Sequence, residues 1–153
     1  KKLWKADEVK REFGIDEKNI HEDAEVHESV EITGKAVVES GAEIKAGAVI
    51  EGKTIVKQDC VIGPNTTLRD STIGPNSQIR SADIDSTVLF ETNIIDSYTN
   101  LENCVIAEES DIKSNTVIRE SFIGPRSFIE MNNSIYGVKF VPDARTDLGE
   151  ISK

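Results

Sequence analysis

Residues 69–89 read RDSTIGPNSQIRSADIDSTVL, and the spacing inside this stretch decides the fold. Ile73, Ile79, Ile84 and Leu89 return at intervals of five or six residues. Two positions before each stands a small side chain: Ser71, Ser77, Ala82 and Thr87. A helix repeats its face about every 3.6 residues and would not produce two such columns. In a strand, residues i and i−2 share a face. Each short repeat is therefore a strand that points one large and one small residue inward.

Working outward, the same beat runs through most of the chain. Toward the N-terminus the large residue recurs every six positions: Val26, Ile32, Val38, Ile44, Ile50, Val56, Ile62 and Leu68. Toward the C-terminus it continues through Ile95, Leu101, Ile106, Ile112, Ile118, Ile123, Ile129 and Ile135, with one interval of five in each round. A turn is thus eighteen residues long early and seventeen late. The small column holds Ala36, Ala42, Ala48, Thr54, Cys60, Thr66, Thr99, Cys104, Ser110, Thr116, Ser121 and Ser127; Val30, Asn93 and Asn133 are its exceptions. Three strands make one triangular coil, with the large residue in the middle of the prism and the small one near a corner. Bend-makers fall at those corners: Gly63-Pro64-Asn65, Gly74-Pro75-Asn76, Gly124-Pro125-Arg126 and the glycines 34, 41, 47 and 52. The expectation is an all-β, single-stranded parallel β-helix of about seven triangular coils stacked about 4.8 Å apart. Such ladders need capped ends.

Three segments follow. Residues 1–19 form an N-terminal helix and connector, with the helix over residues 5–13, Trp4, Val9 and Phe13 on its apolar side, and Gly14 ending it. Residues 20–135 form the β-helix. Residues 136–153 form a C-terminal cap and tail, where Tyr136, Val138, Phe140 and Val141 break the beat before Pro142.

Composition narrows the partners. A formal net charge of −10 opposes a nucleic-acid partner, because a polyanion would be repelled. No apolar run approaches the roughly 18 residues of a membrane span, and the start KKLWKADEVKREFG lacks the apolar core of a secretory signal. Cys60 and Cys104 fall in the small column and read as buried, reduced thiols of a cytoplasmic protein.

The pattern of a large aliphatic residue, three others, a small residue and one more resembles the hexapeptide-repeat superfamily. That resemblance implies left-handed coiling, which periodicity does not decide. The enzymes of that superfamily are mostly acyltransferases, with some zinc carbonic anhydrases, and both need histidine. This chain has two, His21 and His27, both on the first coil just after anchors and on different faces. A zinc site keeps three or four ligands, so the carbonic-anhydrase reading fails on count. An acyltransferase needs a general base beside a cleft, and the repeat runs from Val26 to Ile135 without an inserted loop to carry one. Both histidines read as solvent-facing corner residues, and Glu108-Glu109 as solvated surface. No catalytic, cofactor-binding or metal-binding residue is expected within the chain.

RDSTIGPNSQI (69–79) and RESFIGPRSFI (119–129) are similar to the C-terminal β-helix of sugar-1-phosphate nucleotidyltransferases. The Gly-rich nucleotide loop of those enzymes is absent. The resemblance therefore implies a scaffold: a β-helix for oligomerisation, domain packing and regulation, without its own nucleotidyl-transfer site. Two alternatives stand beside it. One is an acyltransferase that uses an acyl-CoA and a sugar or amine at a site between subunits. The other is a purely structural assembly rod.

One outward face differs from the others. The residue between the small and large inward positions points out, and on one face this series reads Val37, Ile55, Thr72, Val88, Val105 and Phe122, with Phe90 and Ala107 close by. The remaining faces carry more charged and polar residues. An exposed apolar strip of this length marks an interface. Val37, Ile55, Val88, Phe90, Val105 and Phe122 are the expected contact residues, either in a homo-oligomer (trimer or dimer) or against a nucleotidyltransferase catalytic domain.

Overall fold

A computed structural model describes residues 19–146 and the backbone of residues 151–152. The helix expected over residues 5–13 lies outside them. The described chain winds as a parallel β-helix of about seven coils, with no helical residue. Its strands are two to four residues long and stack into three parallel sheets of eight, seven and eight strands.

The register follows the columns. In the first sheet Val38, Val56, Ile73, Leu89, Ile106 and Ile123 are successive partners. In the second sheet, Ile44 pairs with Ile62 eighteen residues on, Ile62 with Ile79 at seventeen, Ile79 with Ile95 at sixteen and Ile95 with Ile112 at seventeen. One coil is therefore shorter than the expected seventeen, because intervals of five occur on two of its sides. The anchors from Val26 to Ile135 are fully buried. Each such side chain contributes roughly 1.5–3 kcal/mol against the entropy of ordering the chain.

The segment expected as a cap begins by continuing the coil. Phe140 pairs with Ile123, Arg145 bridges Phe128 and Ile151 pairs with Ile135. The beat breaks in side-chain type while the ladder goes on.

The corners correct one expectation. In the Gly-Pro-x turns the residue in the left-handed region is the third, at φ 57° for Asn65, 60° for Asn76 and 56° for Arg126. The glycine of each turn is needed for another reason. A Cβ on Gly63 would lie 2.7 Å from the Ile79 carbonyl oxygen of the next coil. The turn thus uses glycine for close approach and its third residue, Asn65, Asn76 or Arg126, for the bend.

The small column does more than fit a tight corner. Thr87 Oγ1 donates to the Asp85 carbonyl at 2.8 Å and accepts from the Cys104 amide of the next coil at 3.2 Å. Ser71 Oγ accepts from the Thr87 amide (3.1 Å), and Ser121 Oγ from the Val138 amide (3.0 Å). One of the apparent exceptions obeys the same rule. Asn93 donates through Nδ2 to the Phe90 carbonyl at 3.0 Å and accepts at Oδ1 from the Ser110 amide at 2.8 Å. Buried hydroxyls and amides here satisfy backbone N–H groups that the ladder leaves over.

Candidate functional site

The outward positions of the first sheet form one continuous strip. Val37, Ile55, Thr72, Val88, Val105 and Phe122 occupy successive rungs, with Asn19 before them and Lys139 after. Val88 is 39% exposed, Phe122 41% and Phe90 49%. Val37, Ile55 and Val105 are half-buried. Ala107, expected beside the strip, is buried and adds nothing to its surface.

Charges gather elsewhere. Beside the third sheet, Arg69 bridges Glu51 (2.7 Å) and Asp85 (3.0 Å), and those two carboxylates raise the pKa of its guanidinium. Beside the second sheet, Asp96 takes Arg80 at 2.8 Å and Lys113 bonds Asp111 at 3.0 Å. Phe128 of that sheet lies under Arg145, 4.6 Å from the ring centre.

Two shallow grooves flank the ends of the apolar strip. The N-terminal one is lined by Asn19, His21, Val37, Glu39, Ser40 and Gln58. Its carboxylate is already engaged, since Glu39 accepts from Lys57 Nζ (3.3 Å) and from the Gln58 amide (3.1 Å). The C-terminal one is lined by Asn103, Val105, Glu120, Phe122, Gly137 and Lys139 among others.

The two histidines are turn-closing residues. His21 Nδ1 accepts the Asp23 backbone amide at 3.1 Å. His27 Nδ1 accepts the Ser29 amide at 3.1 Å and lies 2.8 Å from Ser29 Oγ, which itself accepts from the Gly47 amide at 2.9 Å. A ring nitrogen that accepts an N–H carries no proton, so the proton of each neutral imidazole sits on Nε2. The nitrogen left over is a donor, the wrong form for a general base.

Among the described residues no group of three or more His, Cys, Asp or Glu side chains stands close enough to hold a metal ion. Cys60 and Cys104 are buried free thiols. Burial pushes the Cys60 thiol up to about 11 and raises Cys104 as well, the opposite of what a nucleophile needs. No helix among the described residues is long and apolar enough to cross a membrane.

The coil, its three parallel sheets and its five- and six-residue intervals define a parallel β-helix of hexapeptide repeats. The family model described as GlmU-like, C-terminal hexapeptide matches residues 64–148, more than half of the chain, and the chain belongs to that family. No curated protein matches the sequence. Solved structures do. PerB from Caulobacter crescentus, in complex with CoA and GDP-perosamine, is 16% identical with a TM-score of 0.48; the match covers 83% of this chain and 51% of PerB. The UDP-N-acetylglucosamine O-acyltransferase LpxA from Moraxella catarrhalis is 16% identical with a TM-score of 0.46, covering 76% of this chain and 62% of that one. UDP-N-acetylglucosamine acyltransferase from Campylobacter jejuni is 16% identical with a TM-score of 0.45, covering 88% and 68%. At this identity the likeness is one of fold. The chain spans about half the length of PerB.

Proposed function

We propose that this rod is the β-helix of an oligomeric acyltransferase, which moves an acyl group from an acyl-CoA to a sugar or amine at a seam between subunits. The thioester C–S bond breaks, a C–O or C–N bond forms, and the departing thiolate takes the proton that the attacking group gives up. What carries the reading is membership of the GlmU-like hexapeptide family over residues 64–148. The acyltransferase activity of the solved proteins named above agrees with it. In this reading the apolar strip packs on a second copy of the chain, and the described coils form a wall of the seam. His21 and His27 are not its base. The free buried thiols support a reducing compartment, the cytoplasm.

A second reading has one observation in its favour. The whole sequence holds two histidines, and both spend Nδ1 within their own corners. That favours a non-catalytic β-helix, either the scaffold of a sugar-1-phosphate nucleotidyltransferase-like protein or an assembly rod.

The test combines turnover with mass. The protein is mixed with acetyl-CoA and a panel of amino sugars and amines, and released CoA thiol is followed with a disulfide-exchange reagent. Acceptor-dependent release is expected, undiminished in His21→Asn. Val88→Glu combined with Val105→Glu is expected to dissociate the oligomer in light scattering and to abolish release. An oligomer with no release for any acceptor would leave the second reading standing, and an unchanged mass in the double variant would remove the strip as the interface.

A further inference from the structure

We infer that the outer face of the third sheet pairs with the same face of a second copy of the chain, the two rods lying antiparallel. The inference goes beyond the acyl-transfer reading and uses a face that the apolar strip leaves free. From Val49 to Tyr136 the strands of this sheet are three residues long, so the residues on both sides of each anchor point outward. The face therefore carries two columns. The column before the anchors holds Val49, Thr67, Asp83, Asn100 and Val117 on successive rungs. The column after them holds Glu51, Arg69, Asp85, Glu102 and Arg119.

Both columns are ordered about the rung of Asp83 and Asp85. From that rung toward either end, the first column gives a neutral polar residue and then a valine. The second gives Arg69 and then Glu51 in one direction, and Glu102 and then Arg119 in the other, so the charges invert. A twofold axis lying along this rung turns the rod end for end and sets each column against itself. Arg69 then faces the second copy's Glu102, and Glu51 faces its Arg119. Thr67 meets Asn100, and Val49 meets Val117. A parallel pairing of the same faces in register would set Val49 against Glu51, Thr67 against Arg69 and Asp83 against Asp85, with no opposite-charge contact.

The charged groups are within reach. Arg69 bridges Glu51 and Asp85 along its own column, and Arg119 bridges Glu102 at 3.2 Å. Even so, Glu51, Arg69, Glu102 and Arg119 are between 36% and 51% exposed. Opposed sheets lie about 10 Å apart, a gap that an arginine and a glutamate close when they extend from either side. A guanidinium has five N–H donors, enough for a second carboxylate. The central rung works against the contact. It brings Asp83 and Asp85 of both copies to the axis, and Asp83 is exposed with no ion pair among the described residues. Five rungs span roughly 20 Å, less than a standard interface covers. The contact is therefore weak, and salt screens it.

The test is sedimentation velocity of the full chain at about 20 mM and about 500 mM salt, on either side of the range where exposed charges are screened. At low salt the mass is expected to rise with protein concentration, and at high salt to fall to a smaller, constant value. Arg69→Glu and Glu102→Arg each set like charges against one another in a pair of identical copies. Each should weaken the association at least about tenfold. An equimolar mixture of the two variants should recover it, because every charge at these positions then meets its opposite on the other chain. A bridge within one chain cannot be restored by mixing. Asp83→Asn should tighten the association about threefold. Circular dichroism checks that the variants are folded, and the salt series on the parental chain needs no variant. A mass that ignores salt, a parental mass in both single variants, or no recovery on mixing would each overturn the inference. Neither charge variant touches the apolar strip or the acyl-transfer assay, so failure there and failure here are separate results.

Discussion

The coils before Leu68 and those after it solve the same corner in two ways. Between the third and first sheets, the early coils use Thr33-Gly34-Lys35 and Glu51-Gly52-Lys53, six residues from anchor to anchor. Glycine takes the left-handed position there, at φ 88° and 64°, and the strand starts early, so that Lys35 pairs with Lys53. From Leu68 to Ile73 one residue is gone, and Asp70 takes the left-handed position at φ 48°. Its Oδ1 accepts the Lys53 amide at 2.9 Å, replacing a ladder bond with a side-chain bond. The inner column changes in parallel. The amides of Ala42 and Ala48 reach back within their own corners to the carbonyls of Glu39 and Lys45, at 3.3 and 3.4 Å. The amides of Thr87, Asn93, Cys104 and Ser110 cross instead to a side chain of the coil before, at 2.8 to 3.2 Å. Coil length and inner chemistry thus change together, and the family match begins at residue 64, where they change. The lesson is that Ser, Thr and Asn in this core are hydrogen-bonding parts selected by coil geometry, and size is only half of their role.

That comparison can be broken by experiment. The largest effect is expected from Ile79→Asp, at the heart of the sixteen-residue coil. An unpaired carboxylate there costs more than the rod's net stability, and circular dichroism should show an unfolded chain. A folded variant with an unchanged melting temperature would refute the register. Thr87→Val keeps the shape but cuts one side-chain wire between coils. It should cost roughly 1–3 kcal/mol in urea unfolding, whereas Ala42→Ser in the early coils should bring no gain. If both were neutral, the wires would hold nothing.

Smaller effects probe the corners. Gly47, at φ 74°, would carry its Cβ into Asn65 Oδ1, so Gly47→Ala should cost roughly 1–2 kcal/mol. Asn65→Gly, at a position where asparagine already tolerates the same backbone, should change stability by only about half as much. The smallest effect is chemical. With Cys60 raised by burial from 9.0 to about 11, the folded state holds the thiol proton more tightly than the unfolded state. Stability should therefore fall as pH rises from 9.0 toward about 11, a slope that Cys60→Ser would flatten. Below pH 9.0 the thiol should resist a disulfide reagent until the chain is unfolded.

Much of the rod was legible before any coordinate. All three anchor columns appear in the structure with their expected partners, because a period of five or six with paired inward positions leaves few ways to bury so many aliphatic side chains. The alignment of Val37, Ile55, Val88, Val105 and Phe122 on one face follows from the same count. Other features were not legible. Gly63, Gly74 and Gly124 look like bends, yet their role is to let the next coil's backbone approach, a distance that no local pattern records. Asn93 looked like an exception to the small column until its two partners, three residues and seventeen residues away, were in view.

The C-terminal groove is the clearest case of this kind. It exists because Gly137 stands above Glu120 and Asn103 and leaves the ridge open, while Phe122 and Lys139 meet across a rung. In sequence these residues are spread over more than thirty positions and share no motif. By itself, the amino-acid sequence determined the coil, its columns and its most apolar outer face, because inward periodicity is a property of neighbouring residues. Only the tertiary structure decided which buried hydroxyl meets which amide of the next coil and where a groove opens. Those depend on residues sixteen to eighteen apart in the chain that the winding brings to within one rung, about 4.8 Å, of each other.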